Sequence, residues 1–402
     1  MIEQALRRRA YRLIVLLGVV SLLGDVAYEG VRGVTGPYLA MLGASAAAVG
    51  LVAGLGEFAG YTLRTVAGYL ADRLRSYWLL TFVGYALIGA LPLLAIAHRW
   101  ELAAFLIVLE RLGKALRTPS RDAILSHAAS RVGRGKGFGL HEALDQLGAL
   151  IGPALFALVL ALQGTDGYRL GFAVLTVPAL AAVLALVLAW RQEPEPDRLE
   201  APRSSSRTGS RSSLPGAFWR YAGFTVVATL GFAPFAVLSY HLEKNGVFSP
   251  AAISLLYAVA MGVDGAVALV AGWGYDRLGL ITLTAVPVFA AIAGSLALQS
   301  TPALVVAGIV AWGVAMGLVE TTMRAAVGDL SPAAARGLAY GAFNTLFGIA
   351  WLAGGALLGA IYQRAGAGGA IGAICGLQLL ALVSFFGLGV ARAHRAHTRG
   401  AE

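Results

Sequence analysis

Charge is scarce in this chain. Asp, Glu, Lys and Arg make up 13% of its 402 residues against 58% hydrophobic residues, and the mean hydropathy is +0.74. A soluble domain of this length could hardly cover so much apolar side chain with so little charge, which leaves the bilayer as solvent. Cysteine is almost absent: Cys375 stands alone, so there is no disulfide framework and no spacing for a metal cluster. No HExxH, GxSxG or paired catalytic motif falls inside an apolar run, which argues against an intramembrane enzyme. The apolar runs also hold few Asn and Gln, which disfavours a sugar site. Neither a cofactor nor a bound metal is expected.

What the chain has in quantity is apolar length. Runs of about twenty residues are needed to cross a hydrocarbon core. They occur near 13–41, 46–70, 77–97, 100–124, 137–162, 168–190, 217–242, 249–272, 280–298, 302–326, 338–362 and 367–391. The expected fold is therefore all-α and integral to the membrane, with twelve transmembrane helices. The formal charge of +10 is explained by topology. Arg7, Arg8, Arg9, Arg73, Arg75, Arg131, Arg134, Arg277 and Arg336 fall on one side, and little beyond Arg99, Arg169, Lys244 and Arg364 on the other. This positive-inside asymmetry places both termini in the cytoplasm and removes any need for a nucleic acid partner. Arg7–Arg9 before an apolar run resembles a signal peptide, but Asp25 and Glu29 interrupt the run, so it reads as a retained first helix.

The chain also repeats itself. Gly68-Tyr69-Leu70-Ala71-Asp72-Arg73-Leu74 returns 204 residues later as Gly272-Trp273-Gly274-Tyr275-Asp276-Arg277-Leu278. Arg134-Gly135 before Gly139 likewise returns as Arg336-Gly337 before Gly341, 202 residues on. The one long polar segment, 191–216, is rich in Pro, Ser and Arg and reads as a flexible cytoplasmic linker. It separates a six-helix bundle over 1–190 from a second bundle and short basic tail over 217–402. Both ends of the linker lie on one side, so the two bundles form a parallel repeat. That is the architecture of a transporter whose substrate site lies between its halves.

On these residues the chain resembles the major facilitator superfamily, whose loop pattern is Gly-x-x-x-Asp-Arg-x-Gly-Arg. The first copy departs from it at Arg75 and Ser76; the second keeps Gly279 and departs at Leu280. Gly139, Gly148, Gly152 and Pro153 match the family antiporters' helix-packing motif in the fifth span, with Phe156 and Ala157 where its last glycines would be. The resemblance implies gating roles for Gly68, Asp72 and Arg73 and for Gly272, Asp276 and Arg277, the first Asp stabilising the outward-facing form. It also implies a cavity lined by the first, fourth, seventh and tenth spans. Asp72→Asn is expected to lower transport and leave binding nearly intact.

Charges inside spans are costly and mark function by default. They concentrate in the first half: Asp25, Glu29 and Arg32, Glu57 and Arg64, Glu110, Arg111, Lys114 and Arg117, then His141, Glu142 and Asp145. The second half offers mainly Asp264, Glu320 and Arg324. Helical rise places Asp25 roughly 18 Å into the first span, and Glu57 and Glu110 roughly 15 Å in from the outer ends of theirs, all near mid-membrane. Carboxylates crowded in a low-dielectric cavity can load and release protons near neutral pH, the physical requirement for proton coupling. Candidates for substrate or proton binding are Asp25, Glu29, Glu57, Glu110, Arg111, Asp145 and Glu320, with several of these charges paired to one another. Tyr28 and other aromatics could stack on a ligand, though lipid-facing positions are commoner for such residues.

The expected function is a monomeric secondary transporter in the cell inner membrane, surrounded by lipid, that moves a small organic solute by alternating access. Proton-coupled export of a small amphipathic compound is the first expectation; the midplane acids favour cationic or neutral cargo, while Arg32, Arg111 and Lys114 could equally hold an anion. The alternative is proton-coupled uptake of a polar nutrient or organic anion, with Arg111 needed for binding.

Overall fold

The structure is a computed structural model describing residues 2–74, 76–199, 213–332 and 335–389. The Ser- and Arg-rich middle of the linker, the basic tail and the side chain of Asp72 lie outside the described residues. Every regular element among those described is helical. The main ones are α1 (Ile2–Met41), α2 (Ala46–Leu74), α3 (Tyr77–Ala86), α4 (Trp100–Val132), α5 (Arg134–Gln163), α6 (Gly167–Val174) and α7 (Thr176–Gln192). Then follow α8 (Gly216–Leu230), α9 (Phe235–Lys244), α10 (Pro250–Leu278), α11 (Ala285–Ala297), α12 (Pro302–Leu318), α13 (Arg324–Asp329) and α14 (Arg336–Gly387).

Nine helical stretches among the described residues are long and apolar enough to cross a bilayer. The charge-rich α4 is not one of them, because its middle carries Glu110, Arg111, Lys114 and Arg117. Breaks fall where backbone chemistry requires them. The chain between α8 and α9 opens at 231–234, ahead of Pro234, and the Trp312 indole donates to the Ala233 carbonyl exposed there at 2.9 Å. Gly366 adopts φ 64 inside α14, a left-handed conformation natural to glycine, and divides that long helix in two. Between α12 and α13, Val319–Met323 form a π turn, and the Tyr221 hydroxyl donates to the Met323 carbonyl at 2.6 Å.

The chain forms two compact units. One comprises residues 1–34 and 63–207, the other 35–62 and 208–402. Residues 35–62 join the second unit through glycine contacts. A Cβ on Gly50 would lie 2.2 Å from the Gly355 carbonyl oxygen, one on Gly54 2.8 Å from Leu352 Cα, and one on Gly36 2.1 Å from the Ala236 carbonyl oxygen. In the first unit the start of the linker is docked rather than loose. Leu199 is buried, its carbonyl accepts from Arg131 Nε at 2.8 Å, and Glu193 pairs with Arg9 at 3.1 Å.

Candidate functional site

Three helices of the first unit carry polar residues at helical spacing, so each presents one polar face. On α1 these are Ser21, Asp25, Tyr28, Glu29 and Arg32; on α4, Glu110, Arg111, Lys114, Arg117 and Arg121; on α5, His141 and Asp145. Glycine lets the first and third faces approach. A Cβ on Gly148 would lie 2.4 Å from the Leu22 carbonyl oxygen, and one on Gly152 2.4 Å from that of Val26. Neither position can hold a larger residue without parting α1 from α5.

The charges form three groups. In the first, Glu110 accepts from Arg117 Nη2 at 2.8 Å, and both are essentially inaccessible. Arg117 Nη1 also donates to the Gly84 carbonyl at 3.3 Å, and its guanidinium lies 5.2 Å from the Tyr85 ring centroid. In the second, Arg121 Nη1 donates to Ser21 Oγ at 2.8 Å, Ser21 Oγ donates to Asp145 Oδ1, and Arg121 Nη2 pairs with Asp122 at 2.9 Å. His141 is buried one turn before Asp145, and its Nε2 makes no hydrogen bond among the described residues. In the third, three cations surround the buried Tyr28 ring: Lys114 Nζ at 3.9 Å from the centroid, Arg111 Cζ at 4.3 Å and Arg32 Cζ at 5.6 Å. Glu29 pairs with Arg32 at 3.4 Å.

The third group is electrostatically expensive. The two shorter distances put Lys114 and Arg111 within about 8 Å of each other, where like charges repel by about 2 kcal/mol at an effective dielectric near ~20. The ring's attraction for one cation, about 0.5–2 kcal/mol, roughly offsets that and no more. Among the described residues no carboxylate oxygen lies within 4.0 Å of the Lys114 ammonium, and no Lys or Arg nitrogen within 4.0 Å of the Asp25 carboxylate. Asp25 nevertheless feels the fields of Asp145, Lys114, Glu29 and Arg117. Among the described residues it is buried with neither an ion pair nor a hydrogen-bonding hydroxyl, whereas Asp145 accepts from Ser21.

The sequence profile of the Major Facilitator Superfamily matches residues 21–355. The chain belongs to the Major Facilitator Superfamily. It is 42% identical over 394 residues to an uncharacterized protein of Mycobacterium tuberculosis, covering 95% of this chain and 94% of that one. It is 26% identical to an uncharacterized MFS-type transporter of Methanocaldococcus jannaschii, covering 87% and 88%. A crystal structure of a peptide transporter, POT, in complex with sulfate shares the fold at a TM-score of 0.74, with 16% identity and 95% coverage of each chain. The protein is thus a multi-pass membrane protein of a family of small-molecule transporters.

Within this superfamily fold, the residues singled out from sequence are dispersed. Asp25, Glu29, Glu110, Arg111 and Asp145 share the first unit, whereas Glu57 and Glu320 belong to the second. Glu320 sits in the π turn, and Asp264 is buried beside Gly317, whose Cβ would lie 2.6 Å from the Asp264 carbonyl oxygen. Glu142 is exposed. Tyr28 is buried rather than lipid-facing, because the cations of α1 and α4 enclose it. Of the loop residues, Arg73, Asp276 and Arg277 are exposed, with Arg277 lying 3.9 Å over the Trp273 ring. A Cβ on Gly68 or Gly272 would meet Pro119 at 3.6 Å or Thr321 at 3.7 Å, ordinary contact distances that do not demand glycine. Gly139 faces open space, unlike Gly148 and Gly152. Sequence reasoning gave no role to Ser21, offered Tyr28 only as one of several rings that could stack on a ligand, and offered Lys114 only beside Arg32 and Arg111 as a cation that could hold an anion. The signal available was position: each falls on the same helical face as an already suspect charge.

Proposed function

We propose that this chain is a proton-coupled secondary transporter of a small organic solute, working by alternating access in the cell inner membrane with Asp25 as the proton carrier. The observation that carries this reading is the contrast among the buried acids. Glu110, Glu29 and Asp145 each have a cation or hydroxyl partner, while Asp25 is buried near opposed fields with no direct ion pair. A carboxylate so placed can exchange a proton without dismantling a salt bridge. Ser21 and Asp145 continue a polar path along α1 and α5 toward His141.

Twelve spans follow if the two longest apolar stretches, of 48 and 52 residues, each cross twice and α4 crosses despite its charge. The parallel repeat is supported by matched contacts: Gly68 of α2 meets Pro119 of α4, and Gly272 of α10 meets Thr321 in the π turn, at nearly the same offset. The excess of Arg on one side supports cytoplasmic termini. Asp72 and Asp276 would latch the cytoplasmic helix ends, Glu57 and Glu320 would serve the second unit, and the protein would act as a monomer in lipid.

Export is the first reading of direction. Uptake of an organic anion is the second, and the Lys114 ammonium, with no carboxylate within 4.0 Å among the described residues, favours it. The test is exchange against net transport in proteoliposomes. Asp25→Asn should abolish solute movement driven by a pH gradient yet keep solute–solute counterflow, which needs no net proton movement. Gradient-driven transport at the wild-type rate by Asp25→Asn would remove Asp25 from the mechanism.

A further inference from the structure

The cations gathered on Tyr28 include one, Lys114, with no carboxylate within 4.0 Å among the described residues, a geometry suited to a negative ligand group. Resting on the transporter reading above, we infer that Lys114, Arg111 and Tyr28 form an anion subsite and that the transported solute is a small organic monoanion, a carboxylate on an apolar body. Lys114 provides the central argument. Its ammonium lies 3.9 Å from the Tyr28 centroid, and among the described residues it has no carboxylate within 4.0 Å. Of the nearby acids, Glu110 is paired with Arg117 and Glu29 with Arg32, while Asp25 and Asp145 act on Lys114 only through space, beyond ion-pair distance.

Lys114 is half-buried, and a π face is only a partial counter-charge for a half-buried ammonium. The ammonium has no direct counter-charge among the described residues, and a single carboxylate would supply one. Arg111, 4.3 Å from the same centroid, adds a planar fork suited to two carboxylate oxygens. Both cations lie against the one Tyr28 ring, within about 8 Å of each other, so one ligand can feel both. Val31 on α1 and Leu106 and Ile107 on α4 are buried and apolar, which suits a ligand with an apolar body.

Asp25 lies one turn before Tyr28 on α1. Anion and proton would therefore be held on the same face, and each would reduce the electrostatic cost of the other.

The test separates binding from transport. Thermal unfolding of the purified full chain in detergent would be followed with benzoate, hexanoate and phenylacetate, each beside its amide, and with benzylamine. Carboxylates should raise the midpoint saturably, while amides and benzylamine should not. Lys114→Gln should weaken carboxylate binding about tenfold or more, the worth of one charged hydrogen bond, and Lys114→Arg should retain most of it. Relief of repulsion should leave unliganded Lys114→Gln at least as stable as wild type, which guards against a misfolded variant. The subsite is overturned if amides stabilise as well as acids, if Lys114→Gln binds like wild type, or if no carboxylate binds. Counterflow in proteoliposomes then distinguishes the two claims. Amine or amide transport unaffected by Lys114→Gln sinks the subsite and leaves the transporter; carboxylate binding without any transport sinks the transporter and leaves the subsite.

Discussion

Glu110 and Arg117 allow the sharpest division between structural and transport roles. The pair is 2.8 Å apart and almost wholly inaccessible, and among the described residues Arg117 also contacts the Gly84 carbonyl and the Tyr85 ring. Glu110→Gln would keep the volume and remove the charge, leaving a guanidinium buried among α3 and α4. Breaking a buried pair by removing one partner costs about 3–5 kcal/mol, whereas replacing both by apolar groups is often neutral or favourable. Glu110→Gln and Arg117→Met should therefore each lower stability by about 3 kcal/mol or more. The double variant should recover most of that, giving a coupling energy of about 2–3 kcal/mol in a double-mutant cycle. Reversible unfolding in mixed micelles, followed by far-UV circular dichroism, would read all four proteins. If Glu110→Gln is as stable as wild type but transport is lost, Glu110 is a proton or substrate ligand and the structural assignment is wrong.

Other consequences follow from single contacts. Gly148→Ala and Gly152→Ala each drive a Cβ to 2.4 Å from an α1 carbonyl oxygen; each should cost about 1–3 kcal/mol and lower the unfolding midpoint. Gly139→Ala, in open space, should be neutral or gain about 0.5–1 kcal/mol from helix propensity. Tyr221→Phe removes the hydroxyl that takes the Met323 carbonyl at 2.6 Å. It should cost about 1 kcal/mol and speed amide exchange across Val319–Met323; unchanged exchange there would mean that the π turn is held by packing alone.

Much of this was legible in the sequence because the bilayer imposes simple rules. Apolar run length located the helices, and the doubled Gly-x-x-x-Asp-Arg loop pointed to the family before any contact was known. Helix ends were less legible. α1 begins at Ile2, well before its apolar run, since Arg7–Arg9 are good helix formers outside the membrane. The linker's start is docked because one leucine, Leu199, finds a buried place and Arg131 caps its carbonyl, which composition does not reveal. Within the site, the crowd of charges was visible but not its pairing. Glu110 and Arg117 lie seven residues apart on one helix, a spacing that brings side chains to the same face two turns apart. Whether they meet depends on the long reach of arginine and on α3 closing over them through Gly84. The gathering of Lys114 and Arg111 on Tyr28 depends on how α1 and α4 are rotated, and no local pattern encodes that.

The central claim, a proton carried at Asp25 with a solute, is tested most directly by purified protein in proteoliposomes with an imposed pH gradient and a pH-reporting dye inside. Carboxylates, neutral amphiphiles, sugars and lipophilic cations would be added one at a time to wild type and to Asp25→Asn. The account predicts solute-triggered proton movement in wild type, largest with carboxylates, and none in Asp25→Asn. Solute transport in wild type without proton movement, or proton movement undiminished in Asp25→Asn, would contradict it.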